Sequence, residues 1–365
     1  MRSYELGNPK LDEKIQELVA KASRNPGGDL IGEMITTALK LHRDNQPRGE
    51  LRLINTALKE MRYSSLVFSR HSEPKVTIFG SARLQPDDPN YQLATQMGAA
   101  MAKRGWGVIT GAGPGIMEAG NIGAGIESSY GINIRLPFED QASPHIADER
   151  TVNHKYFFTR KLGFVKESHG FVIFPGGFGT LDEAFELFTL VQTGKSDIHP
   201  IVLIEAPGTE YWGPLTKFIS EVLVPMGLIS PSDLGLFRYT TDVETAAEEI
   251  TGFYNNYQSQ RYVDGQLILR LVQAPPAGIL EVLSDEFSDL LVDGRITQID
   301  PTEIEFQDGD ALDLERVSLH FDRRRYGRLR LLIDRLNSVT PPPRMVAVPT
   351  PFPVREDAEE WLDQV

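Results

Sequence analysis

The sequence predicts an α/β protein: a Rossmann-like, doubly wound parallel sheet with an N-terminal helical layer and a small C-terminal α+β module. Three observations carry that expectation. From Lys75 short apolar runs alternate with segments of helical period, the pattern of a parallel sheet covered on both faces. Three of these runs end in glycine-rich turns, at the strand ends where open α/β sheets bind ligands. From Tyr262 onward there are 11 arginines, no lysine and 20 acidic residues, a balance of −9, which sets a boundary near Tyr257–Gly265. The expected organisation is a helical extension over 1–70, an α/β domain over 71–260, an acidic module over 261–340 and a proline-rich tail over 341–365.

In the extension, Leu11, Ile15, Leu18, Val19 and Ala22 share one helical face, as do Leu30, Ile31, Met34, Ile35, Ala38 and Leu39. A third run carries Leu51, Ile54, Leu58 and Met61, and Asn25-Pro-Gly-Gly28 and Gln46-Pro-Arg-Gly49 break the chain between them. These helices are expected to pack on the domain that follows. Strands are expected at Val76–Phe79, Val108–Thr110, Gly131–Ile134, Phe171–Phe174 and Ile201–Ile204. Helices are expected around Tyr91–Arg104, Ile116–Glu127, Tyr156–Glu167, Leu181–Gln192 and Trp212–Leu223. The C-terminal module reads as strand Gln266–Leu271, helix Ile279–Leu291, strands Ile296–Ile299 and Val317–Phe321, and helix Tyr326–Leu336. An extended stretch to Pro353 and a short helical turn over Glu356–Leu362 complete the chain.

The composition narrows the function. The 365 residues carry a net charge of −14, which argues against an extended nucleic-acid surface, since counterion release needs many cations on one face. No apolar run approaches membrane-spanning length, and the first residues lack a basic-then-apolar signal, so a cytoplasmic protein is expected. Cysteine is absent, which excludes disulfides, thiolate zinc sites and cysteine nucleophiles. No histidine or carboxylate cluster has metal-ligand spacing.

The chemistry concentrates in three turns: Phe79-Gly-Ser-Ala-Arg83, Thr110-Gly-Ala-Gly-Pro-Gly-Ile-Met117 and Pro175-Gly-Gly-Phe-Gly-Thr-Leu-Asp-Glu183. In the last, Gly176, Gly177 and Gly179 let the backbone curl around a ligand, and the helix that follows directs its positive end at the same point. An anion fits there, with Thr180 adding a hydroxyl. Glu183 is then either a first-turn dipole partner or a catalytic group. Three such turns on strand ends point to a nucleotide or sugar-phosphate cleft. A dinucleotide-dependent oxidoreductase is the weaker rival: Gly111-Ala-Gly-Pro-Gly115 has the wrong spacing and follows the second strand, although Arg135 suits a 2′-phosphate. A Walker loop is excluded, because no Gly-Lys-Ser or Gly-Lys-Thr closes any turn.

These turns, together with Tyr156-Phe-Phe-Thr-Arg-Lys161, closely resemble the Lonely Guy (LOG) family, long labelled lysine decarboxylases. The similarity spans about Lys75 to Tyr254, and Pro-Gly-Gly-x-Gly-Thr-x-x-Glu is its most specific element. The resemblance implies a homodimer or higher oligomer that hydrolyses nucleoside 5′-monophosphates to free base and ribose 5-phosphate, with no cofactor because water is the second reactant. It assigns catalysis to Arg160 and Glu183 and the phosphate-binding turn to Gly176, Gly177, Gly179 and Thr180. Substrate contacts are expected also from Gly80, Ser81, Gly111, Gly113, Gly115, Met117 and Lys161. Ala112 departs from a family glycine and Asp182 from a common glutamate. A carrier or sensor that binds a nucleotide or phosphorylated cofactor in the same cleft is the alternative. His154, His169 and His199 are further candidate general acids, against the plainer reading of packing or surface residues. The basic run Arg323–Arg330 is expected to pair with Asp308–Glu315 as a solvated helix face; the sharper alternative is an anionic effector site.

Overall fold

The computed structural model describes residues 4–22, 27–134 and 143–339. Arg135, the Asn25-Pro26 half of the first break and the tail over 341–365 lie outside the described residues. The chain forms two compact units, Met1–Arg62 and Tyr63–Val365. The first contains α1 (Pro9–Ala22), α2 (Gly28–Arg43) and most of α3 (Arg48–Phe68). Ile15 is buried there, while Leu18, Leu30 and Met34 stay about half exposed.

In the second unit the five predicted strands form, as β1 (Lys75–Phe79), β2 (Gly107–Thr110), β3 (Ser129–Ile134), β5 (Gly170–Ile173) and β6 (Ile201–Ile204), and two that were not predicted join them, β4 (Thr151–His154) and β7 (Arg238–Thr240). They make one parallel sheet in the order β4-β3-β2-β1-β5-β6-β7, with Val76 opposite Val108 and Ile78 opposite Val172. Helices alternate with the strands: α4 (Pro89–Lys103), α5 (Ile116–Ala124), α6 (Phe157–Glu167), α7 (Phe178–Gln192), α8 (Trp212–Phe218) and α9 (Val243–Gly252). Every residue of β1, β2, β5 and β6 is buried, as two covered faces require. The chain winds from β1 out to β4 and returns to β5 on the other side of β1, so the strand order reverses between β1 and β5. A crevice opens at the carboxyl ends of such a pair.

Helices α4 and α5 meet backbone to backbone. A Cβ on Gly98 would lie 2.1 Å from the Gly120 carbonyl oxygen, and one on Gly123 would lie 1.9 Å from that of Thr95. Gly98→Ala should therefore force the helices apart and destabilise the protein by about 1–3 kcal/mol, the usual cost of overpacking. An unchanged urea midpoint would contradict that close approach.

The acidic module is built on a second, antiparallel sheet: β8 (Tyr257–Val263), β9 (Gln266–Leu271), β10 (Thr297–Ile299) and β11 (Glu315–Leu319), in the order β10-β11-β9-β8. Its helices are α10 (Ile279–Glu286), α11 (Glu303–Asp308) and α12 (Tyr326–Val339). Glu305 is fully buried at its centre, accepting from Arg270 Nη2 at 2.6 Å, Arg270 Nε at 2.9 Å and Arg316 Nε at 3.1 Å. It also closes a capping box with Thr302.

The basic run does not pair with Asp308–Glu315 as expected. Arg328 and Arg325 reach back to Asp289, and Arg330 is buried against Glu249 at 2.6 Å and Asp334 at 2.9 Å. Asp308 and Asp310 bind Arg261 instead, with Asp310 also holding Arg270. The reason is topological: antiparallel pairing of β8, β9 and β11 brings the strand arginines to the 308–310 turn, while Arg328 and Arg335 of α12 reach Glu286 of α10 and Arg330 reaches Glu249 of α9. No helix among the described residues is long and apolar enough to cross a membrane.

Candidate active site

Strands β2, β1 and β5 are neighbours, so the three glycine turns converge on one cavity of about 850 Å³. Backbone bonds stitch the turns together: Ser81 N–H donates to the Pro175 carbonyl and Ile116 N–H to the Ser81 carbonyl, each at 3.0 Å. Of the predicted residues, Gly80, Ser81, Gly111, Met117, Arg160, Gly176, Gly177, Gly179, Thr180 and Glu183 line the cavity. Gly113, Gly115 and Lys161 do not.

Two of those absent residues shape the walls. Gly115 sits at φ 71°, and a Cβ there would lie 2.3 Å from the Ser81 carbonyl oxygen, so it lets the β2 turn touch the β1 turn. A Cβ on Gly113 would meet Met117 Cε at 2.7 Å. Ala112, which departs from the glycine that the resemblance leads one to expect, lies at φ 58°, in the left-handed region that an alanine occupies at a cost.

Helix α6 delivers Arg160. Its Nε donates to the Ile132 carbonyl at 2.9 Å and its Nη2 to the Gly111 carbonyl at 3.3 Å, while its guanidinium lies over the Phe164 ring. Nη1 has no partner among the described residues and remains a donor for a ligand. Gly111 is needed for this seat, since a Cβ there would lie 2.2 Å from Nη2. Burial lowers the arginine pKa, against the pull of Glu183.

Glu183 lies in the second turn of α7, with its side chain 13% exposed. Burial pushes its carboxyl up to about 7, opposed by Lys161 and Arg160 and reinforced by Glu186 and Asp182. Lys161 lies 2.7 Å from Glu186, 2.8 Å from Asp182 and 3.8 Å from Glu183. It is thus a neutralising partner of the α7 carboxylates rather than a cavity wall. Such a mixed charge environment, water-poor but flanked by cations, holds a carboxyl near the point where it both takes and gives a proton at neutral pH.

At the start of α7 the N–H groups of Gly177, Phe178, Gly179 and Thr180 have no hydrogen-bond acceptor among the described residues. They form a ready anion cradle. The walls around it are apolar and aromatic, from Phe79, Phe157, Phe164, Phe178 and Leu181. Sequence reading passed over these aromatics, although Phe157 stands in the Tyr156–Lys161 motif and Phe178 occupies the variable place in Pro-Gly-Gly-x-Gly-Thr. Phe178 is 94% exposed at the rim. Arg83 and Asp182 complete the lining. His154, His169 and His199 lie elsewhere: His169 Nδ1 accepts from Lys75 N–H, and burial holds His199 down at about 4. No group of three or more His, Asp or Glu that could hold a metal ion occurs among the described residues.

Comparison with known proteins bears on this site directly. Residues 111–250, which include the β2 turn, Arg160 and the Pro175–Glu183 turn, match the family model described as "Possible lysine decarboxylase". The chain is 30% identical over 159 residues to the cytokinin riboside 5′-monophosphate phosphoribohydrolase of Mycobacterium tuberculosis, covering 42% of this chain and 82% of that enzyme. It is 28% identical over 151 residues to the pyrimidine/purine nucleotide 5′-monophosphate nucleosidase of Escherichia coli K12, covering 38% of this chain and 33% of that one. A solved structure of the molybdenum cofactor carrier protein of Chlamydomonas reinhardtii is 20% identical, covering 49% of this chain and 97% of that one, with a TM-score of 0.35. Since the similarity spans most of the mycobacterial enzyme and the matched family region contains both members of the Arg160–Glu183 pair, the chain belongs to the Lonely Guy (LOG) family.

Proposed function

We propose that the protein hydrolyses the N-glycosidic bond of nucleoside 5′-monophosphates, with AMP or a modified adenine nucleotide as the first substrate to test. The observation that carries this reading is Glu183: a carboxyl with a pKa near 7, in the same cavity as a cationic donor and one turn beyond an anion cradle. The 5′-phosphate binds the free N–H groups at the start of α7, with Thr180 beside them. The ribose then lies toward Glu183. As the glycosidic bond lengthens, positive charge builds on the sugar, and the carboxylate stabilises it and accepts a proton from the attacking water. Water oxygen bonds to the anomeric carbon, the bonding pair leaves with the base nitrogen, and a proton returns to the base. Arg160 contributes Nη1 to the phosphate or to the departing base.

Arg160→Lys tests the second role. A lysine keeps the charge but its single nitrogen lacks the planar fork by which Arg160 spans the Ile132 and Gly111 carbonyls and still reaches a ligand, so base release from AMP should fall by about 10²-fold or more. Base release from a panel of monophosphates, followed by chromatography, is the measurement. Wild-type levels of base in both Arg160→Lys and Glu183→Gln would sink the hydrolase reading, and nucleotide recovered intact from the wild-type protein would favour a carrier. Self-association is part of the same proposal. Phe157 and Phe178 line the cavity and are exposed, and Phe158 and Phe185 on the same two helices are exposed as well, apolar surface of the kind that subunit contacts cover. Light scattering should report a dimer or larger species.

A further inference from the structure

Tyr211 precedes α8 and lines no part of the cavity, yet its Oη donates to the Gly176 carbonyl at 2.5 Å. In a trans peptide the carbonyl and the next N–H point in opposite directions. A Gly176 carbonyl held toward Tyr211, away from the cavity, therefore turns the Gly177 N–H into it. Gly177 is free to adopt either orientation: it has no side chain, its N–H has no acceptor among the described residues, and a Cβ there would meet nothing within 4 Å. Something outside the turn must choose.

Tyr211 is built to do so. Its own N–H donates to Glu205 Oε2 at 2.5 Å, and the Tyr239 hydroxyl donates to Glu205 Oε1 at 2.6 Å. Its ring packs edge-on against Trp212, centroids 4.8 Å apart, and Trp212 is fully buried with Nε1 bonded to the Ile204 carbonyl at 3.1 Å. The hydroxyl is thus fixed from β6 and delivered to the β5 turn.

We propose that Tyr211 is a positioning residue that sets the peptide plane between Gly176 and Gly177, so that the Gly177 N–H is presented to the substrate phosphate. This rests on the phosphate-binding reading of the turn. Without the hydroxyl the carbonyl is free to rotate toward the cavity, where it removes a donor and opposes an anion with a negative dipole.

The test is calorimetric binding of inorganic phosphate to the full-length protein, with AMP kinetics alongside. Tyr211→Phe should weaken phosphate about tenfold and raise KM for AMP similarly, with kcat within about threefold. Tyr239→Phe loosens Glu205 but keeps the Tyr211 hydroxyl on the Gly176 carbonyl, and should weaken phosphate clearly less than Tyr211→Phe does. Equal phosphate affinity in Tyr211→Phe and wild type, or equal weakening in Tyr239→Phe, overturns the inference. Should Tyr211→Phe fail to fold, the wild-type Gly177 amide resonance decides: saturating phosphate must shift it, and an unmoved resonance overturns the inference. Failure of wild type to bind phosphate at all instead strikes at the binding reading beneath it.

Discussion

Glu183→Gln should lower kcat for nucleotide hydrolysis by about 10²–10⁴-fold, the range spanned by a single positioned acid–base group, while phosphate binding at the start of α7 persists. Glutamine keeps the shape but can neither accept the proton of water nor offset positive charge on the ribose. The pH dependence carries the same signature. A base must be ionised to act, so kcat/KM should rise with pH along a limb centred near 7, where burial holds the Glu183 carboxyl. A limb near 4.5 would mean that the carboxyl is solvated and that another group takes the proton.

The same carboxyl affects stability in the opposite sense. Its folded pKa of about 7 lies above the ordinary 4.5, so the native state holds the proton more tightly than the unfolded chain does. That contribution is fully present below pH 4.5 and is lost as pH rises through 7. At pH 8 the enzyme carries an ionised group it would be more stable without. Each pKa unit corresponds to about 1.4 kcal/mol, so Glu183→Gln should stabilise the protein at pH 8 by about 1–3 kcal/mol and have little effect at pH 4. A variant that is less active and more stable above neutrality is the expected mark of a functional buried acid, and urea unfolding at the two pH values measures it.

How far the sequence could be read depended on what each segment had to bury. The central strands were legible because both faces are covered: Phe171–Ile173 and Ile201–Ile204 are unbroken apolar runs, and Val76–Phe79 is interrupted only by Thr77. The edges were not: Thr151-Val-Asn-His154 and Arg238-Tyr-Thr240 pair on one side only, so they carry no such run. Strand β8 escaped for a similar reason, being polar through Gln258–Arg261, although Asp264-Gly265 after it supplies the hairpin signal and adopts the left-handed backbone that signal implies. At the site, the glycine turns could be read because each is local to one motif, and Arg160 and Glu183, which the family resemblance singled out, both line the cavity. The parts that depend on neighbouring strands were invisible. Tyr211 reaches Gly176 from the loop between β6 and α8, Lys161 turns to α7 instead of the cavity, and the proximity of β1 to β5 follows from strand order alone.

Glu305→Ala should be the most damaging single change outside the cavity, destabilising the protein by about 3–5 kcal/mol. Removing the carboxylate leaves the fully buried guanidinium of Arg316 with no carboxylate partner and that of Arg270, 5% exposed, with Asp310 alone. It also opens the capping box at the start of α11. The cost comes from the stranded Arg316 cation rather than from the lost attraction itself, so replacing Glu305, Arg270 and Arg316 together by apolar residues of similar volume should recover much of it, Asp310 keeping Arg261 as its partner. Equal instability of the single and triple variants would contradict that cause. The pH sign is the reverse of that at Glu183. Hydrogen bonds from Thr302 and Arg270 overcome burial and hold the Glu305 carboxyl down at about 2, so its contribution is present above 4.5 and is lost as pH falls through 2. Two buried carboxyls in one chain therefore titrate at opposite extremes because one is saturated with donors and the other is not. The unsaturated one is left with a proton affinity that catalysis can use.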